Sequence, residues 1–275
     1  MKRPARSALL LPALLLLAAA APAIEFTSSF ESIKIDGRPG EVATRDFQLH
    51  LAPGGKRVHF KARAEDWLPS EDGARSFYQP AGTLPRSCGP WITLNPVETA
   101  VDAGGTLDIR VTAAVPREAG PGGYWCVLTV DEVPDPLDSP QGVAVRFQAS
   151  VSVGIFINLD PVVRAAEIAD VQISRGKARL KVCNRGNAPV GAEGRLELLP
   201  PGGGAAAATA VIPRATVLTD PAPCRILTAQ LPSAEALAPG RYLVRVLLDI
   251  GTDHYIGVQK EMEIGGDLLA PVKSR

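Results

Sequence analysis

The sequence offers few side chains that could carry out catalysis. Its three histidines are His50, His59 and His254, and none lies within a recognisable catalytic motif. A hydrolase could be built from one histidine with a serine and a carboxylate, but there is no G-x-S-x-G elbow, no H-E-x-x-H pair and no phosphate-binding glycine loop. We therefore interpret the histidines as solvated surface residues and expect no enzyme, no metal site and no cofactor.

Two further groups of side chains could bind ligands, one group calcium and the other a sugar. The carboxylates that could hold calcium weakly are Asp131, Glu132, Asp135 and Asp138. The aromatic residues that could form a sugar-binding platform are Trp67, Phe77, Tyr78 and Trp91. An acidic surface loop explains the first group more simply, and core packing at strand ends explains Trp67 and Trp91.

Four cysteines fall in two pairs, with Cys88 and Cys126 in the first half of the chain and Cys183 and Cys224 in the second. No CxxC or HxxxH spacing supports the alternative of a zinc site. In an oxidising compartment the simplest connectivity is one disulfide within each half. Each disulfide would close a loop of about 40 residues, worth roughly 4 kcal/mol in the chain-entropy description.

The first 23 residues have the composition of a secretory signal peptide. Lys2, Arg3 and Arg6 form a basic start, 8–20 is almost entirely Leu and Ala, and Ala21-Pro22-Ala23 is a small-x-small cleavage site. A membrane anchor is the alternative, but the apolar run is shorter than the roughly 20 residues that a span requires. We expect a mature protein exported to the periplasm, with the outside of the cell as the alternative location, and without a membrane span. It has no basic run that would favour nucleic acid.

The chain after the signal peptide consists of short alternating segments separated by Gly- and Pro-rich turns, without a notable helical stretch. Alternation of apolar and polar residues is typical of half-buried β-strands. The predicted strands of the first half lie at 26–35, 47–51, 58–64, 91–97, 107–111, 124–130 and 143–159. The last of these is much longer than the usual strand of about 5–6 residues.

A tyrosine just after a glycine turn occurs in both halves, as Gly123-Tyr124 and as Gly240-Arg241-Tyr242. In the first half Tyr124 precedes Cys126 by two residues, as in the tyrosine corner of immunoglobulin-like sandwiches. The sequence therefore predicts an all-β protein with two immunoglobulin-like β-sandwich domains in tandem. The predicted domains are a signal peptide at 1–23, an N-terminal domain at 24–160, a C-terminal domain at 161–265 and a tail at 266–275, with the junction at Asp160-Pro161.

The order of these features resembles the periplasmic chaperones of the chaperone–usher pilus pathway. The features are Asp36-Gly37 after the first strand, Trp91 to Pro96 before a turn, Gly123-Tyr124-Trp125 opening the sixth strand, and the long strand running into Asp160-Pro161. The resemblance covers residues 26–161 well and the second half in outline.

The resemblance implies that the long strand lends alternate apolar side chains to an incomplete pilus subunit, as in strand addition. The positions that match the lending residues are Val145, Phe147, Ala149 and Val151. The family also holds the subunit's terminal carboxylate with two basic residues. The matching positions here fall near Ser32, with Lys34 two residues on, and near Phe156. Because neither Ser32 nor Phe156 is basic, we expect this chain to lack the family's carboxylate anchor.

Two hypotheses for function follow. The first is a non-enzymatic periplasmic chaperone-like protein that binds a secreted, pilin-like subunit by β-strand addition, with an outer-membrane usher as a candidate second partner. The second is a structural or adhesive envelope protein, in which the long strand only connects the chain's own two domains.

Overall fold

A computed structural model describes residues 26–28, 31–54, 56–133, 148–174, 176–231, 238 and 240–264. Its regular elements are β-strands and one short 3-10 turn, Gly89–Trp91. No helix among the described residues is long and apolar enough to cross a membrane. The predicted signal peptide and the predicted tail lie outside the described residues, and both stay predictions.

Among the described residues, ten strands lie before the predicted junction at Asp160-Pro161 and seven lie after it. The first ten are β1 (Phe26–Ser28), β2 (Ser32–Gly37), β3 (Val42–Leu51), β4 (Val58–Pro69), β5 (Arg75–Tyr78), β6 (Ile92–Asn95), β7 (Glu98–Val101), β8 (Thr106–Ala114), β9 (Gly122–Val133) and β10 (Ser150–Leu159). One sheet has the order β1-β3-β8-β6, and the other has the order β2-β10-β9-β4-β5 with β7 pairing with β4. The two sheets form the first sandwich.

The seven described strands after the junction are β11 (Ala166–Ser174), β12 (Lys177–Asn184), β13 (Val190–Leu199), β14 (Ala208–Val217), β15 (Cys224–Gln230), β16 (Gly240–Asp249) and β17 (Ile256–Ile264). Their sheets have the orders β11-β12-β15 and β14-β13-β16-β17, and they form the second sandwich. No strand pairing among the described residues joins the two sandwiches. In both, strands distant in sequence lie side by side, which is the Greek-key arrangement of immunoglobulin-like folds. The predicted fold class is therefore confirmed.

Each sandwich encloses its own apolar core, because alternate side chains of every long strand point inward. The first core includes Phe47, Leu49 and Ile109, and the second includes Leu180 and Leu196, all with at most 1% of their surface exposed. Independent folding of the two halves stays a prediction.

The tyrosine corners are present in both sandwiches. The Tyr124 hydroxyl donates a hydrogen bond to the Gly120 carbonyl at 3.1 Å, and the Tyr242 hydroxyl donates to the Ala238 carbonyl at 2.7 Å. Each bond fastens the start of a central strand to the turn before it, as the Gly-turn-Tyr pattern predicted.

Three predicted elements differ in the structure. The predicted strand at 26–35 is divided between β1 and β2, which belong to opposite sheets, because β1 pairs with β3 and β2 with β10. The strand predicted at 91–97 is β6 alone, since a 3-10 turn precedes it and Pro96, which has no N–H to donate to a ladder, follows it. The segment between the strands predicted at 58–64 and 91–97 contains an additional strand, β5, whose four residues are all exposed.

The sandwiches contact each other through a small apolar cluster. Leu218 of the second sandwich is completely buried and packs with Trp67, Trp125 and Val127 of the first. The Gly123 N–H donates to the Asn187 carbonyl at 2.8 Å beside this cluster. The cluster and its hydrogen bond fix the walls of the cleft described below.

Candidate partner-binding edge and cleft

The structure joins Cys88 to Cys126 and Cys183 to Cys224, the pairing within halves that the sequence predicted. The first disulfide fastens the turn at Gly89–Trp91 to β9 inside the first core, where both cysteines are fully buried. The second links directly opposed residues of β12 and β15. Both disulfides are structural cross-links of the sandwiches, and neither lies in the cleft.

The long strand has two parts with different surroundings. From Val153 to Leu159 the odd residues are buried in the first core, with 4% or less of their surface exposed. Ala149 and Val151 are half-buried on the same face, and Val151 packs against that core. The other two predicted lending residues, Val145 and Phe147, lie outside the described residues. Thus the apolar face is committed to the core at its C-terminal end and only partly covered before that.

The backbone of β10 is paired on both sides over only part of its length. β9 pairs with it from Ser150 to Leu159, whereas β2 pairs with it only from Gly154 to Leu159. The Glu132 N–H donates to the Ala149 carbonyl at 2.9 Å, so the odd residues point their backbone groups at β9. The main-chain groups of Ser150 and Ser152 therefore point away from β9. We call the stretch 150–153 the open edge, because no described strand pairs with it there.

A cleft of about 630 Å³ lies where the two sandwiches meet. Phe156 of β10, Phe77 of β5 and Trp67 of β4 contribute its apolar lining. Its basic lining residues are Lys34, Arg75, Arg164, Arg214 and Arg225. This cleft is both more basic and more aromatic than the sequence alone indicated.

The parallel pairing of β2 with β10 fixes the relative positions of Ser32, Lys34 and Phe156. Ser32 lies opposite Gly154, and Lys34 lies opposite Phe156. Phe156, one of the two positions matched to the family's basic pair, therefore lies opposite a lysine on the neighbouring strand. The other cations of the cleft come from β5, β14, β15 and the junction. Sequence reasoning missed them because no local pattern indicates which residues of two distant segments will share one cleft.

The other candidate ligand sites are not assembled in the described residues. Trp67 is buried and Trp91 stacks on Tyr124 with ring centroids 4.4 Å apart, so the four aromatic residues do not form one platform. Asp131 is bound by Arg63 and by the Ser150 hydroxyl, while Asp135 and Asp138 lie outside the described residues. No group of three or more His, Cys, Asp or Glu in the described chain could hold a metal ion.

Glu65 is a buried carboxylate on the outer face of the sheet that contains β10. Burial is the largest single influence on its pKa and would raise it. Hydrogen bonds from Gln79, Thr129 and Arg63, together with the Arg63 charge, outweigh burial and lower the pKa below its ordinary value. Glu65 is therefore a charged structural group that stabilises β4.

Comparison with solved structures finds fimbrial chaperones. The Pseudomonas aeruginosa CupB2 chaperone is 12% identical, with a TM-score of 0.45 over 87% of this chain and 100% of that one. The E. coli chaperone DraB is 14% identical, with a TM-score of 0.43 over 88% and 99%. A chain from the complex of Salmonella enterica SafA pilin with the SafB chaperone is 12% identical, with a TM-score of 0.46 over 88% and 99%.

These structures belong to the class that the sequence resembles, and the relation is distant. No family model matches the sequence, and no curated protein matches it.

Proposed function

We propose that this chain is a chaperone-like protein that binds a secreted, pilin-like subunit by β-strand addition at the open edge of β10. The observation that supports the proposal is the difference in length between the two pairings of β10. Among the described strands, β2 does not extend over 150–153, and there the main-chain donors and acceptors of Ser150 and Ser152 have no strand partner in the described part of the chain. A strand of the partner would continue the sheet by hydrogen-bonding to these groups.

The half-buried face of β10 gives the added strand something to recognise. Ala149 and Val151 keep part of their apolar surface accessible at the margin of the first core. Covering the remaining surface of such side chains is favourable by about 25 cal/mol per Å². Backbone bonds would provide affinity, and the alternate side chains, including Val145 and Phe147 upstream, would provide specificity.

The proposal places the protein in the periplasm, after removal of 1–23. It includes an outer-membrane usher as a possible second partner and assigns no catalytic step to the chain. The function rests on binding, so the cleft and the open edge are the surfaces on which variants should act.

One observation favours the alternative of a structural envelope protein. The inward face of β10 from Val153 to Leu159 is entirely used by the chain's own core, and the strand leads directly into the second sandwich. In that function the long strand would only connect the two sandwiches.

The test removes one hydrogen-bond donor from the open edge. Ser152→Pro deletes an N–H that has no partner among the described strands, and proline is tolerated on strand edges where its nitrogen faces solvent. Ser152→Thr is the matched control, because it changes the side chain and keeps the N–H. Each variant is co-expressed with a candidate pilin-like secreted subunit, and the complex is purified through a tag on this chain.

We expect the subunit to co-purify with the wild type and with Ser152→Thr but not with Ser152→Pro. Amide hydrogen exchange at Ser150 and Ser152 should be fast in the free protein and slow in the complex. Co-purification that is unaffected by Ser152→Pro, with no gain in protection at these amides, would refute strand addition at this edge and favour the structural alternative.

A further inference from the structure

The basic residues of the cleft are mostly without acidic partners. Arg214 pairs with Glu193. No salt bridge within the described part of the chain joins a carboxylate to the other four cations, which are Lys34, Arg75, Arg164 and Arg225. Glu31 is the one carboxylate among the described lining residues. The cleft therefore carries an excess of positive charge over an apolar lining.

Two of these cations repel each other. Arg225 is half-buried and donates to the neutral Thr216 carbonyl at 2.9 Å. Burial lowers the pKa of Arg225, and the neighbouring Arg75 charge lowers it further. Arg75 in turn lies over the Trp67 ring, 5.8 Å from its centroid. A negative group between the two guanidinium groups would relieve the repulsion and pair with both.

The two arginines are held in place by contacts between the sandwiches. The turn between β4 and β5 reaches the second sandwich, where the Ile226 N–H donates to the Glu71 carbonyl at 2.6 Å and Lys181 pairs with the Glu71 carboxylate at 2.8 Å. Gly73 in this turn has a φ of +94°, and a Cβ there would lie 3.0 Å from Nη2 of Arg225. Such a fixed arrangement reduces the ordering cost of binding.

We infer that this cleft binds an acidic polypeptide segment through its side-chain carboxylates, with one carboxylate between Arg75 and Arg225 and others near Lys34 and Arg164. Charge complementarity points to an anionic occupant, and guanidinium groups pair with carboxylates in two-point geometry. The cations extend across both sandwiches in a cleft of about 630 Å³, which suits several carboxylates on one chain better than a single small anion. β10 contributes Ser152, Gly154 and Phe156 to the cleft lining, but neither arginine belongs to β10, so binding between the two arginines does not require strand addition.

The experiment uses the full mature chain and an acetylated, amidated hexaglutamate peptide, which has side-chain carboxylates only. Acetylated, amidated hexaglutamine is the uncharged control, and the same hexaglutamine peptide with a free terminal carboxylate tests that group alone. Inorganic phosphate is the small-anion probe. Binding is followed by calorimetry and by tryptophan fluorescence, since Trp67 lines the cleft beside Arg75.

We expect hexaglutamate to bind, and to bind more weakly as salt is added. Arg75→Gln and Arg225→Gln should each weaken binding by about tenfold or more, the usual loss for a charge-assisted hydrogen bond. Arg110→Gln is the matched control, because Arg110 pairs with Asp46 on the other sheet of the first sandwich. It should leave the affinity unchanged.

Arg75→Gln should also leave the melting temperature of the free protein unchanged or raise it, because it removes a repulsion. Equal affinity of the wild type and both cleft variants for hexaglutamate would overturn the inference. So would phosphate binding as tight as that of the peptide, or binding that requires only a free terminal carboxylate. None of these results affects the Ser152 test, so failure of the cleft site and failure of strand addition are distinguishable.

Discussion

Two valines on the same face of β10 separate the role of the strand in folding from its role in binding. Val151 and Val153 lie opposite Val130 and Leu128 of β9, and both point toward the first core. Val153 has 4% of its surface exposed, whereas Val151 is half-buried at the open edge. The same substitution, valine to alanine, can therefore be compared at two depths of burial.

Val153→Ala should reduce stability more than Val151→Ala does, whereas Val151→Ala should reduce partner affinity more than Val153→Ala does. Full burial of a valine contributes about 1.5–3 kcal/mol, so Val153→Ala should lower the free energy of unfolding by about 2 kcal/mol and Val151→Ala by about half of that. A partner strand can cover only the exposed remainder of Val151. Losing that contact, worth about 1 kcal/mol, should weaken partner binding roughly fivefold. Val153→Ala should leave the affinity nearly unchanged.

Urea unfolding measures the first effect, and titration of the purified subunit measures the second. The reasoning is refuted if Val151→Ala destabilises the protein as much as Val153→Ala and leaves the affinity of the partner unchanged. That result would mean that Val151 is an ordinary core residue. Phe147, which lies outside the described residues, stays a predicted lending residue.

Three further predictions concern the scaffold. Tyr124→Phe removes the bond to the Gly120 carbonyl and should lower the free energy of unfolding by about 1 kcal/mol in urea titrations, whereas an unchanged midpoint would mean that this corner bond adds nothing. Because the folded-state pKa of Glu65 is lowered, its ionised form stabilises the fold above its unfolded pKa of about 4.3, and this contribution is lost as the pH falls through the folded pKa. The melting temperature of Glu65→Gln should therefore lie below that of the wild type at pH 7 and converge with it in acid; a constant difference would contradict the assignment. Leu218→Ala should cost about 2–5 kcal/mol and shift tryptophan emission to the red, and unchanged emission would show that the cluster between the sandwiches does not depend on this side chain.

The sequence predicted best those parts of the fold that local spacing specifies. Leu107, Ile109 and Val111 alternate in the sequence and are all buried in β8. Tyrosine after a glycine turn predicted both corner hydrogen bonds, because that bond joins residues only four apart. Local spacing is sufficient where the partner lies within the same strand or turn.

Features that depend on distant segments could not be predicted in the same way. The four residues of β5, Arg75–Tyr78, are all exposed, so no alternation distinguishes this strand from a loop. The division of 26–35 between two sheets depends on β3 and β10, which lie far away in the sequence. The cleft required both the β4–β5 turn and β15, and only the folded structure shows that Arg75 approaches Arg225.

The glycines before Tyr124 connect the corner motif to the geometry of the cleft. A Cβ at Gly123 would lie 2.4 Å from the Pro189 Cδ, and one at Gly122, whose φ is +111°, would lie 2.4 Å from the Asn187 carbonyl oxygen. Only glycine permits this approach of the second sandwich to the start of β9. β9 also pairs with the whole of β10, and this pairing begins at Gly122 and Gly123, opposite Leu159 and Asn158. The same two glycines therefore contact the second sandwich beside the cleft and start the pairing between β9 and β10. A larger residue at Gly123 should therefore alter the cleft before it alters the open edge, since the pairing of β9 with β10 extends to Ser150, at the other end of the strand.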